Sequence, residues 1–539
     1  LTAGLAASAL AACGGGGGAG GSTNSALAGG NSSTALGAGT PATAAEAARF
    51  LHQASLAATD ADIAALQAQG YAAWLDAQFG KLPSQSNYDW LIAQGYFVPA
   101  NQYSQTGLDA MAWRALIAEA NPVMQRLTAF WSEFFVVSAT GLPIAWPQFV
   151  AAAYLDLLGA NALGNFRALL KAVTLSAAMG EFLSLRGSTK ADPATNRHPD
   201  ENYAREVMQL FTLGLNQLNA DGTHVLVNGQ PVATYSQDDV TGLAAAFTGW
   251  EFNGGSATPD YARAPMVQIA YRHTTTSCSF LGVTIAAGTD GKQALEIILD
   301  TLFQHPNVGP FVARQMIQRL VSSNPDPAYV GRVAAVFAND GTGVRGNLRA
   351  VTKAVLLDSA ARTAGGAGRV REPMLRLVQW ARTFNASSVG AWSIGDTSDA
   401  AGRLSQSPLR SPTVFNFFAP DYVPPGTSLS QQGQVAPELQ LLDESSVAGY
   451  LNYMQRVISS GAGDVTANYS TEIQMAGNAD ALIARLHLLL AADQIPAATL
   501  ALISGAVAGL PAVTPADLQN RVWAAILLVM ATPAYQVLK

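Results

Sequence analysis

A mainly α-helical fold is predicted by two observations. Apolar residues recur at i, i+3, i+4 and i+7 in "AAEAARFLHQASL", "DADIAALQAQGYAAWLDAQF", "PAYVGRVAAVFAND" and "LRAVTKAVLLDSAAR", which is the stripe a helix turns toward its core. Strand signals are sparse, the clearest being "THVLVNGQPVATY", where Asn228-Gly229 separates two short alternating runs as a type I′ hairpin turn does. The expectation is a large multi-helix domain over residues 45–539 with one inserted β-hairpin.

The first residues carry an address rather than a fold. An apolar stretch, "LTAGLAASAL", runs into "LAAC" and then a glycine run, which resembles the lipobox of bacterial lipoproteins. Residues 1–13 then form a signal segment, Cys13 is the lipidated residue, and the chain is exported. An ordinary signal peptide with an A-x-A-like end remains open, and it also means export. Residues 14–44 are mostly Gly, Ala, Ser and Thr, too poor in apolar side chains to repay ordering. They read as a flexible linker with a reach of roughly 30 Å. With Cys13 modified, Cys278 is alone and no internal disulfide forms.

Composition narrows the partners. At 539 residues and 49% hydrophobic content the chain can bury a large core. Its 30 basic and 37 acidic residues leave a net charge of −7, and no Lys/Arg run tracks a phosphate backbone, so nucleic acid is not expected as a partner. No stretch reads as a membrane-spanning helix, since Pro496, Pro511 and Pro515 break the longest uncharged one. The membrane would be met through the lipid.

Farther along, "NRHPDENYAREVMQLFTLGL" gathers Arg197, Asp200, Glu201, Arg205 and Glu206 in a chain with only 12% charged residues. Pro199 suits the first helical position, Asp200 and Glu201 suit the positive end of the dipole, and Glu201 and Arg205 are spaced for an i, i+4 ion pair. Glu201, Asn202, Arg205, Glu206, Gln209 and Thr212 would share a solvated face. The functional alternative adds His198, which with these carboxylates would hold a metal or act as a base. "GTGVRG" at 341–346 follows a helical pattern, not a strand, and reads as a helix C-cap and turn. From about 385 to 437 the texture turns to Gly, Ser, Pro and aromatics, predicting a long ordered loop with Phe415, Phe417 and Phe418 as core plugs; a groove lining is the alternative. Helices resume from about 438 to 539. No G-x-S-x-G elbow, H-E-x-x-H pair, C-x-x-C pair or Walker loop occurs.

"AARFLHQASLAAT", the segment at 196–215, "TYSQDDVTGLAAAFTGW", "HPNVGPFVARQMIQRLVSSNPDPAYVGRVAAVFANDGTGVRGNLRAV", "REPMLRL" and "SPTVFNFFAPDYVPPG" resemble, in order, the signature blocks of a bacterial family catalogued as domain of unknown function 1800. The resemblance implies a large, exported, predominantly helical protein without an assigned activity. It also implies a partner from the exported family of unknown function 1501. The family's repeated polar positions fall here on Arg49, His198, Asp200, Glu201, Asn202, Arg205, Glu206, Asp239, Trp250, His305, Arg314, Arg371 and Glu372. Where some relatives have "FWHNHF" this chain has "FWSEFF" at 130–135, without either histidine.

Three functional expectations follow. The leading one is a lipoprotein in the envelope, at the outer membrane facing the periplasm, that binds or assembles with another exported protein. The second is a hydrolase using His198, Glu201, Arg205 and Glu206, with Asp200, Asp239 and His305 as supporting neighbours. The third is a structural surface component. No cofactor is named, and metal binding stays open.

Overall fold

The computed structural model describes residues 39–363 and 368–539, so Cys13 and nearly all of the Gly/Ala/Ser segment lie outside the described residues. Packing already includes Gly39, whose carbonyl accepts from the Tyr71 N–H at 3.1 Å. Helix α1 (Ala44–Ala54) is capped by Thr43, whose hydroxyl accepts from the Glu46 N–H.

Helices carry the fold, as the periodicity predicts. Those that position the site are, in order, α2 (Pro122–Phe134), α3 (Asn202–Gln209), α4 (Gln237–Ala246), α5 (Val308–Leu320), α6 (Pro373–Thr383), α7 (Glu444–Ser460), α8 (Ala479–Ala491) and α9 (Pro515–Ala531). Most begin in a way the sequence signals. Asn121 caps α2 with Pro122 at its first position, Ser236 and Asp239 form a capping box at α4, and Thr514 and Asp517 form another at α9.

The Asn-Gly hairpin is present. Strands β1 (Leu226–Val227) and β2 (Gln230–Pro231) pair antiparallel, with Asn228 at φ 53° and Gly229 at φ 77°, the two left-handed residues of a type I′ turn. It is not alone, which corrects the expectation of one hairpin. Five two-stranded antiparallel pairs occur among the described residues, including β3 (Cys278–Phe280) with β4 (Val283–Ile285) and β5 (Arg369–Val370) with β6 (Val537–Leu538). Pairs of two or three residues are too short to print an alternating pattern in sequence. The turn at 341–346 is a left-handed one, with Gly341, Gly343 and Gly346 all at positive φ, and it follows a helix, not a strand.

Two apolar cores divide the molecule. One gathers side chains from Ala47 to Ala361 with Leu489 and Ala492. The other is built from α6 to α9 together with Leu56, Trp113, Leu116, Ile117 and Ala129. Helix α2 serves both, since Phe130, Trp131 and Phe134 join the first core and Ala129 the second. The chain between α6 and α7 is the expected ordered loop, with Thr397, Gln406 and Ser407 fully buried. Its aromatics depart from expectation. Phe418 is a core plug, but Phe415 is 44% exposed, Phe417 is half-buried, and Asn416 at φ 66° turns inward instead.

Candidate functional site

The segment at 196–215 forms a shorter helix than its pattern predicts. Helix α3 starts at Asn202, not Pro199, with Asp200 Oδ1 accepting from the Asn202 N–H at 2.8 Å just ahead of it. It ends at Gln209, so Thr212 and Gly214 lie past it, and Thr212 is fully buried rather than solvated. Glu201 is engaged by the neighbouring helix: its carboxylate accepts from Thr241 Oγ1 at 2.9 Å, Gln237 Nε2 at 2.8 Å and Arg205 Nη2 at 3.1 Å. Partial burial opposes ionisation, but these hydrogen bonds and Arg205 hold Glu201 below the usual glutamate range. The trio clamps α3 to α4.

The other members do not join it. His198 is exposed, and no hydrogen bond or ion pair among the described residues connects it to Glu201, Arg205 or Glu206. Glu206 belongs to no solvated face. It is buried, its Oε2 has no partner, and burial raises its pKa against the pull of Arg205. Asp239 caps α4 and also accepts from the Leu281 N–H at 2.6 Å, pinning the β3–β4 turn. His305 ends the helix before α5, where its Nδ1 accepts from the Asn307 N–H at 3.2 Å and its carbonyl accepts from Arg345. Burial and then Arg345 lower its pKa. These residues hold turns and helix ends at separate places. Among the described residues no group of three or more His, Cys, Asp or Glu side chains converges as a metal ion needs.

A different set of charges does converge, where α2, α5, β5, α6 and the long loop meet. Arg369 is nearly inaccessible. Its guanidinium donates to Glu372 Oε1 at 2.5 Å and contacts Glu438 Oε1 at 3.0 Å, while its Nη1 donates to the Arg319 carbonyl. Arg126 Nη2 donates to that same carbonyl. It lies in the last turn of α5, where the helix dipole is negative. Arg319 in turn donates to Glu133 Oε2 at 2.9 Å, and Glu372, 0% exposed, accepts from Gln406 Nε2 at 2.8 Å.

The carboxyls of Glu133 and Glu372 are both buried and close enough to act on each other's charge, and each is paired with its own arginine. Burial pushes Glu133 well up, the Glu372 carboxylate adds to the rise, and Arg319 does not overcome them. Burial is also the largest single influence on Glu372, but Arg369, Arg126 and the Gln406 amide together outweigh it and hold that carboxylate low. Glu133 is thus the acid of the pair that holds a proton more readily. Two neighbouring acids pushed in opposite directions are a feature of sites that move or donate protons.

Cavities open on both sides of this centre. On the α2 side a cavity of ≈ 50 Å³ is lined mainly by apolar groups such as Val137, Leu155 and Met374, with Glu133, Gln406, Ser411 and Asn416 among its polar residues. Glu133 Oε1, Ser411 Oγ and Asn416 Nδ2 are all buried there without a partner. On the α6 side a cavity of ≈ 40 Å³ is walled by Arg126, Arg369, Arg371, Glu372, Arg376 and His52, among others.

Reading the sequence missed most of these residues. Arg371 and Glu372 were reached only through the family resemblance. Arg126 and Glu133 carried a direct signal, since they sit seven residues apart in α2 on a face otherwise made of Ala129, Phe130 and their apolar neighbours. A charge on an apolar stripe is a charge under cover.

The fold and centre define a class: a mainly α protein whose charged residues converge not on its surface but at the joint of two cores. The chain belongs to the family described as "Protein of unknown function (DUF1800)", whose family model matches residues 49–537. No curated protein and no solved structure matches it.

Proposed function

We propose that this is an exported, lipid-anchored envelope protein that binds a small, neutral, hydroxyl-bearing molecule in the cavity beside Glu133. One observation carries the reading: three residues lining one largely apolar cavity, Glu133, Ser411 and Asn416, each hold a buried polar atom without a partner. That combination, a largely apolar wall with a few aimed polar groups, is how small-molecule sites are built. A protonated carboxyl, a hydroxyl and an amide NH2 supply donors and acceptors without net charge, which suits hydroxyl groups rather than ions. Export and anchoring rest on the lipobox at Cys13.

A second reading is favoured by the Glu133–Glu372 pair. With the pKa of Glu133 raised and that of Glu372 lowered, Glu133 is suited to protonate a leaving group, so the hydrolase alternative moves from His198 and Glu206 to this pair.

One experiment addresses both. The purified protein is screened by thermal shift against small alcohols, short polyols and their acetate esters, with Asn416→Ala as control, and hits are followed by calorimetry and product analysis. A compound that raises the midpoint of the wild type but not of Asn416→Ala, and is recovered unchanged, supports the binding reading. A compound recovered cleaved by the wild type, but intact from Glu133→Gln, establishes the hydrolase. No response across the panel, with no small molecule retained in native mass spectrometry, sinks both.

A further inference from the structure

The second cavity has a different chemistry from the first. Its wall carries four guanidinium groups, those of Arg126, Arg369, Arg371 and Arg376, each at least nine-tenths buried, against one carboxylate, Glu372. Arg369 is spent on Glu372, Glu438 and the Arg319 carbonyl. The other three are not. Arg126 Nη1, Arg371 Nε and Arg376 Nε are buried donors without partners.

Arg371 and Arg376 lack any carboxylate within ion-pair distance among the described residues. Arg371 Nη1 donates to Gln379 Oε1 at 3.0 Å and its Nη2 to His52 Nδ1 at 3.2 Å. That leaves the His52 proton on Nε2, which donates to the Leu489 carbonyl at 2.9 Å. Arg376 Nη1 donates to Gln536 Oε1. Both guanidiniums lie over tyrosine rings, Arg376 at 4.1 Å from the Tyr450 centroid and Arg371 at 5.1 Å from that of Tyr535. These are neutral contacts. Cation–π contacts of this kind offset only part of what a buried, unpaired charge costs.

The surplus is countable. Arg126, Arg319, Arg369, Arg371 and Arg376 face Glu133, Glu372 and Glu438 across the whole centre, five cations against three acids. At least two positive charges are left over, and they are on the cavity side. Arginine forks match oxyanions by paired N–H donors. By roughly 10–15 Å³ per water, the ≈ 40 Å³ cavity takes about three waters or one compact ion.

We propose that this arginine-walled cavity is a binding site for a tetrahedral dianion, a sulfate or phosphate group held by Arg126, Arg371 and Arg376. Burial lowers the pKa of both Arg126 and Arg371 to about 10, the direction expected of cations held without a counter-charge.

The test uses the purified protein in chloride buffer. Sodium sulfate and sodium phosphate are titrated separately at constant ionic strength, made up with chloride, while the unfolding midpoint is followed and heats are measured by calorimetry. The expected result is a rise in midpoint that saturates below the millimolar range for one or both anions, with a calorimetric stoichiometry of one, lost in Arg371→Met. The anion that saturates identifies the group. General salting effects of these ions rise without saturation and are the same in every variant. That outcome overturns the proposal, as does an equal saturating rise in wild type and Arg371→Met. Should Arg371→Met not fold, Arg376→Gln serves, and the wild-type calorimetry alone still decides whether a site exists.

Discussion

Replacing Arg369 with Met should unfold the protein at much lower denaturant. Arg369 is the hub of the buried centre, in contact with Glu372 and Glu438 and with the α5 C-terminal carbonyl at Arg319. Methionine keeps much of the aliphatic volume and removes the charge together with the guanidinium's hydrogen bonds. Two carboxylates are then left in an interior where water does not reach Glu372 at all. Removing one partner of a buried pair costs about 3–5 kcal/mol. The same substitution at Arg349, whose bond to Asp76 at 2.8 Å joins two side chains more than 40% exposed, should cost less than about 1 kcal/mol. Urea unfolding followed by tryptophan fluorescence measures both, because Trp113 and Trp380 are buried in the core next to the centre. Adding Glu372→Gln and Glu438→Gln to Arg369→Met should recover most of the loss, since the carboxylates left behind are what makes it large. If Arg369→Met and Arg349→Met shift the midpoint equally, the centre is not a low-dielectric cluster and the functional reading built on it fails.

Further outcomes follow from the same geometry. The folded pKa of Glu133 is raised, so its contribution to stability is present below the unfolded glutamate value and is lost as pH rises toward the folded one; wild type should lose stability over that window and Glu133→Gln should lose measurably less, read from urea midpoints at successive pH values. Glu206 is raised in the same direction, so Glu206→Gln should be at least as stable as wild type at pH 8, and a loss of several degrees there would show the carboxylate holding the fold. A methyl on Gly242 in α4 would run into the Ser279 carbonyl oxygen of β3. Gly242→Ala should therefore cost at least about 2 kcal/mol by overpacking, more than the roughly 1 kcal/mol that alanine gains in a helix, with a lower midpoint as the readout.

How much of this was legible depends on sequence distance. The helices could be read because their information is local: an apolar stripe of period 3.6, a Thr or Asn cap, a Pro at the first turn. The hairpin could be read from Asn228-Gly229 for the same reason. Most of the centre could not, because Arg319, Arg369, Gln406 and Glu438 come from separate stretches, and each alone looks like a solvated polar residue. Local density misled in the opposite direction. Arg197 to Glu206 are crowded in sequence, yet Glu201 and Arg205 are occupied in clamping two helices and His198 faces solvent. Crowding along the chain records where a helix begins. Convergence in space is what makes chemistry.

The cost of the centre bears on what it is for. Well-packed apolar side chains of similar volume hold a joint between two cores as well as buried ion pairs do, and often better. Here the pairs are also incomplete: three arginine nitrogens on one side, and a carboxyl, a hydroxyl and an amide on the other, are buried without partners. A purely structural network would be satisfied within itself, as the Glu201 clamp between α3 and α4 is. Unsatisfied groups in the linings of cavities on both sides of Glu133 and Glu372 instead describe a wall between two binding spaces. If so, the spaces cannot be independent. A dianion beside Glu372 would raise the pKa of that carboxyl and, through its charge, that of Glu133, changing the polarity that the first cavity presents. Binding in one cavity would then shift affinity in the other by the same factor in each direction.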